Sequence, residues 1–272
     1  MRKINPYFKV LKLILLFVLL FFVSVLSYLK IINIFVTGVL GTLWYWNYIT
    51  TGIISIIYVF KFRNFVLFDI IISLLLSLLC CTSGFNPIIV PVTFLSFLSG
   101  AFIFRSYNQE FKFCVGLKNT LKSIGFGILI GIVPGMINII EFLLKGYTLK
   151  VPNFYDIYSS FLRALQPGIS EEIVFRFFLF AYVTAAFKGK IPKTMTSNLL
   201  IYLLLIVPHC IMHNEFLPVN FISNFNTTIL NLIYMCAVFG IPSVYLIKNR
   251  NLYCAIGFHW FCDFVRFTLT NR

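Results

Sequence analysis

From residue 13 to residue 29 the chain carries no charged side chain, and apolar runs of this kind recur to its end. Crossing the hydrocarbon of a bilayer takes about 20 residues of helix, with a range of about 17 to 25. That ruler divides the sequence into eight or nine spans, at 13–29, within 31–60, and at 65–81, 88–104, 123–144, 168–187, 195–213, 227–247 and 252–269. A helix satisfies its own backbone hydrogen bonds, which lipid cannot do for it. The predicted fold is therefore all-α: a multi-pass transmembrane helical bundle with its site between the C-terminal helices.

Of the 272 residues 60% are hydrophobic and 11% charged, too little charge to cover a water-soluble body of this length. One integral membrane domain is expected, in which 1–122 supplies N-terminal spans without a motif and 123–272 forms a membrane-embedded core. The net charge of +14 does not indicate nucleic acid, because Lys and Arg fall between the apolar runs and not in one basic patch. Loops assigned inside, among them those with Lys61, Arg63, Lys188, Lys190, Lys193 and Lys248, hold fifteen Lys and Arg against six outside, which places the N-terminus in the cytoplasm. The basic residues before Leu13 mimic a secretory signal, but no small-residue cleavage site follows Leu29, so this segment is read as the first span. Seven Cys without a C-x-x-C pair, Cys114 among them, indicate neither a zinc knuckle nor a disulfide framework.

Between the spans, Trp44, Tyr45 and Trp46 suit a headgroup belt, and 105–122 reads as a polar cytoplasmic connection. Gly125, Gly127, Gly131 and Gly135 suit close helix packing in lipid. The mixed link 145–167 is expected to hold a short interfacial helix at 157–165.

Ionisable residues inside spans are costly and usually functional. Of eight acidic residues, Glu171, Glu172 and Asp263 lie within spans; Asp69, Glu141 and Glu215 read as ordinary interfacial groups. All three histidines, His209, His213 and His259, lie in or at the ends of the last spans. Residues four apart share a helix face, which pairs Glu172 with Arg176, His209 with His213, and His259 with Asp263. Glu172 with Arg176 reads as a structural ion pair that leaves Glu171 free for chemistry. A carboxylate and an imidazole in a partly dry pocket can deprotonate a water, which gives hydrolysis without a Ser or Cys nucleophile.

The run Glu171-Glu172-Ile173-Val174-Phe175-Arg176 resembles the E-E-x-x-x-R motif of the CAAX protease and bacteriocin-processing (CPBP, or Abi) family of intramembrane proteases. His209-Cys210-Ile211-Met212-His213 is similar to its F-x-x-x-H motif, and His259-Trp260-Phe261-Cys262-Asp263 to its H-x-x-x-N/D motif. The resemblance covers about 159–267. It implies a CAAX-type intramembrane endopeptidase of glutamate or metallo type in which Glu171 and His213 activate water, His259 and Asp263 stabilise the oxyanion, and Glu172 and Arg176 support the site. His209 stands where the motif has Phe and joins the supporting residues; in an alternative register His209 is the catalytic histidine and Leu205 takes the Phe place.

No cofactor is implied with certainty: zinc on Glu171, His213 and His259 and a metal-free glutamate mechanism both fit the groups. The implied substrate is a membrane-associated peptide or protein, of the prenylated-tail, bacteriocin-precursor or pheromone-precursor class, cleaved in the cell membrane. Oligomeric state is not legible. Two other readings stand beside this one: a non-catalytic immunity or regulatory protein on the same scaffold, and a proton-coupled transporter.

Overall fold

The computed structural model describes residues 5–28, 43–64, 66–109, 116–144, 146, 148–213, 224–249 and 251–270. The expectations placed on Cys114 and Glu215, and the first part of the 31–60 segment, lie outside the described residues. Among those described, nine helical elements and no strand are found. They are α1 (Pro6–Tyr28), α2 (Leu43–Phe62), α3 (Leu67–Leu79, closed by a 3-10 turn at Cys80–Ser83), α4 (Ile89–Ser106) and α5 (Gly116–Leu144). Then follow α6 (154–186), α7 (Met195–Cys210), α8 (225–248) and α9 (Leu252–Leu269). Four of them, α1, α4, α5 and α8, are long and apolar enough to cross a membrane. The protein is an integral membrane helical bundle.

Local sequence signals fix several ends. Asn153 and Asp156 form a reciprocal capping box that opens α6, and Thr194 with Ser197 does the same for α7. Asn251 accepts from the backbone N–H of Cys254 at the start of α9, and Asn86 accepts from those of Ile88 and Ile89 before α4. Each such bond satisfies a helix-end donor that would otherwise stay unpaired.

Two expectations are corrected. The interfacial helix foreseen at 157–165 is the beginning of α6, which runs unbroken into the sixth span because Pro167 is accommodated inside it. α7 stops at Cys210, so His213 lies in the turn beyond the helix and not on it. Pro208, four residues past Leu204, has no N–H to continue the ladder, and its carbonyl instead accepts from Asn47 Nδ2 of α2 at 2.9 Å.

α6 is the central element. Its segment Glu172–Phe178 is π-helical, with every residue buried, and Phe175, Phe177 and Phe178 pack fully out of reach of the surroundings. Around it the core draws Phe17 from α1, Tyr48 from α2, Phe97 from α4, Leu204 from α7, Val244 from α8 and Phe258 from α9. α9 packs most extensively against α5 and α6. The glycines permit that approach: a Cβ on Gly127 would stand 2.1 Å from the Cys254 carbonyl oxygen, and one on Gly257 2.4 Å from that of Ile124. Asp69, read from sequence as interfacial, is fully buried and takes a bidentate pair from Arg105, Nε to Oδ2 at 2.6 Å and Nη2 to Oδ1 at 2.7 Å. The pair joins α3 to the end of α4 and answers the cost of burying the carboxylate.

Candidate active site

The seven residues singled out in the sequence meet at one place. Glu171, Glu172 and Arg176 come from α6, His209 from the last turn of α7, His213 from the turn after it, and His259 and Asp263 from α9. The π segment begins directly after Glu171. Single π turns inside α-helices are rare and frequent at functional sites, because the wider turn re-aims the side chains that follow. Here Arg176 does not simply stack on Glu172. Its Nη1 stands 3.7 Å from Glu172 Oε1 and donates to the Glu171 carbonyl at 3.4 Å, while its Nη2 lies 2.7 Å from His209 Nδ1.

That last contact fixes a tautomer. A guanidinium only donates, so His209 Nδ1 accepts and the ring proton sits on Nε2. Nε2 is in turn hydrogen-bonded to Glu171 Oε2, and His213 Nε2 lies 3.1 Å from the same nitrogen. The carboxylate of Glu171 thus meets His209 directly, and His213 stands against the same edge of the His209 ring. This is the contact geometry of the alternative register, with Leu205, fully buried, in the Phe place.

On the other side of Glu171, His259 bridges the two acids: its Nδ1 is 2.8 Å from Glu172 Oε1, and its Nε2 is 3.6 Å from Glu171 Oε2 and 3.5 Å from Asp263 Oδ2. Glu172 Oε2 also accepts from Ser243 Oγ of α8. Asp263 Oδ1 is held by Arg266 Nη2 at 3.0 Å. Glu171, His213 and Asp263 all face a cavity of about 570 Å³, whose wall also includes Trp44, Glu141 and Arg266. Sequence reasoning did not give Ser243 a place here, and no local pattern marks it. Arg266 was counted only as a loop charge, although its position three residues after Asp263 on one helix is the spacing of an ion pair. Glu141, read as ordinary, lines the cavity.

Residues 153–265 match the family model described as Rce1-like, type II CAAX prenyl endopeptidase Rce1-like. The match spans less than half of the chain, and it is the segment from α6 to α9 that is similar to this family. The match agrees with the CPBP resemblance of the three motifs and contains all seven residues, while Arg266 falls just beyond it and α1–α5 lie outside. No curated protein and no solved structure matches the chain. The Rce1-like segment supports a CAAX-type intramembrane protease in general terms.

By distance, Glu171, His209 and His213 of this Rce1-like segment could hold a metal ion, their ligand atoms all lying within 4.8 Å of one another. The trio includes His209 in place of the His259 named from sequence. Hydrogen bonding works against ligation as arranged: a ligating nitrogen needs a free lone pair, and His209 Nε2 carries the proton that Arg176 excludes from Nδ1. The group is built to share a proton, and it does not fit a metal without displacing Arg176.

Proposed function

We propose that the chain is an intramembrane endopeptidase that hydrolyses a peptide bond of a membrane-associated peptide or protein with a water activated by Glu171, whose carboxylate His209 orients from Nε2–H. The observation that carries this reading is the buried contact of a carboxylate with a tautomer-fixed imidazole at the wall of a cavity large enough for a peptide segment. Water bound against Glu171 gives up a proton to the carboxylate as its oxygen adds to the carbonyl carbon. His259, in its protonated form, donates from Nδ1 to Glu172 and from Nε2 to the oxyanion that forms. Collapse of the tetrahedral adduct breaks the C–N bond, and the proton held by Glu171 passes to the leaving nitrogen. The products are one fragment ending in a carboxylate and one beginning with an amine.

Asp263 accepts from Arg266 and so, as a carboxylate, has no proton to offer an oxyanion; its role is to orient His259 and keep Arg266 at the cavity wall. Glu172, Arg176 and Ser243 hold His259 and His209 in place. His213, between His209 and the cavity, exchanges protons with solvent there. The substrate belongs to the prenylated-tail, bacteriocin-precursor or pheromone-precursor class, and the site of action is the cell membrane. No metal takes part.

The test is quantitative peptidomics of membranes from cells carrying wild-type protein, Glu171→Gln or His209→Ala at equal abundance. Both variants lower the yield of product peptides by roughly 10² to 10⁴-fold, the range of general acid–base catalysis. An unchanged peptide pattern in both would sink the proposal.

A further inference from the structure

At the C-terminal end of α6 lies a second cavity, of about 430 Å³. Thr184, on its wall, is thirteen residues beyond Glu171, or roughly 20 Å along the helix at 1.5 Å per residue. The cavity is therefore separate from the active site. Lys193 and Lys248 line it, and no acidic side chain among the described residues does. Gln109, Thr184 and Asn198 add polar groups, with Phe180, Ile191 and Ile201 as the apolar part.

The walls are fixed by several bonds. Gly189, at φ 78°, closes the end of α6 by donating to the Thr184 carbonyl at 2.8 Å, and Gln109 Nε2 donates to the Gly189 carbonyl at 3.2 Å. Lys248 Nζ donates to Asn198 Oδ1 at 2.7 Å, which holds the ammonium beside the opening. Lys188 and Lys190 stand exposed on the same loop, within a segment that the positive-inside rule assigns to the cytoplasmic face. The helices that contribute Asn198 and Lys248 also turn Leu199, Leu203 and Tyr245 outward, so the cavity adjoins an apolar surface of the kind that faces acyl chains.

We propose that this cavity binds an anionic phospholipid, with the phosphodiester between Lys193 and Lys248 and an acyl chain along the outer faces of α7 and α8. Two cations on the wall, with no acid beside them among the described residues, favour an anion, and the adjoining apolar surface selects an amphiphile over a free ion. The cytoplasmic leaflet, rich in anionic lipid, is where clustered juxtamembrane lysines find such headgroups.

The experiment is native mass spectrometry of the detergent-purified full chain with dioleoyl phosphatidylglycerol, dioleoyl phosphatidylcholine or inorganic phosphate. Wild-type protein retains phosphatidylglycerol over phosphatidylcholine. Lys193→Gln/Lys248→Gln retains it roughly tenfold less, while Lys9→Gln/Lys12→Gln, which removes two cations of α1, retains it as wild type does. Lys193→Gln alone, at an exposed loop position with no packing to lose, gives an intermediate loss. Equal retention of the two lipids, or undiminished phosphatidylglycerol on the double variant at Lys193 and Lys248, overturns the proposal. So does a phosphate adduct that phosphatidylglycerol fails to displace, which would make the ligand a free anion.

Discussion

At the scale of single residues, the decisive group is Arg176, because it sets which nitrogen of His209 carries the proton. With Nδ1 occupied by the guanidinium, Nε2–H is committed to Glu171, and in the proposed mechanism the carboxylate is the base while His209 keeps no lone pair for a metal. Treatment with a strong zinc chelator should therefore leave product formation within about twofold of the untreated protein, and elemental analysis should find well under one zinc per chain; stoichiometric zinc lost together with activity would refute the tautomer argument. The ionisable cluster itself was legible from sequence, since each of its members stands out in an apolar span. The partner choices were not. Helix spacing put Glu172 and Arg176 on one face, and they do approach, but the π turn gives Arg176 a closer contact with a histidine 33 positions away.

At the scale of elements, the contact between α5 and α9 depends on the absence of side chains at named positions. Gly127 meets the α9 backbone, whereas a Cβ on Gly125 would have nothing within 4 Å. Gly127→Ala should lower stability by about 1–3 kcal/mol or more through overpacking, and Gly125→Ala should be neutral or stabilise by up to about 1 kcal/mol through helix propensity. Thermal unfolding in one detergent distinguishes the two, and equal melting temperatures would count against this packing. The glycine series of this span announced a packing face in the sequence. Its partner could not be named there, because small residues show where a backbone can approach and not which helix arrives. The continuity of α6 was missed for a related reason: polar residues between 150 and 167 lower the apolar signal, while the capping box at Asn153 and Asp156 starts the helix regardless.

For the whole molecule, the charge count is the basis for orientation; the candidate active site sits near the middle of α6 and the lysine-lined cavity at its C-terminal end. A Cys at Val151, which is 92% exposed, should react with a membrane-impermeant maleimide added to intact cells, above the background of the native cysteines. A Cys at the exposed Lys190 should react only in inside-out vesicles. The opposite pattern would invert the topology and move the lysine-lined cavity away from the cytoplasmic leaflet. The sequence by itself determined that this chain is a membrane-embedded helical bundle, where most of its helices begin and end, and that a few acids and histidines stand out inside apolar runs. Those properties are local: hydropathy over one span, and the cost of a charge in lipid. Only the tertiary structure decided that His209 meets Glu171, that His259 bridges both glutamates, and that Asp69 is buried against Arg105. Such pairings join residues far apart in the chain, and their geometry depends on how one helix is rotated and wound against the next.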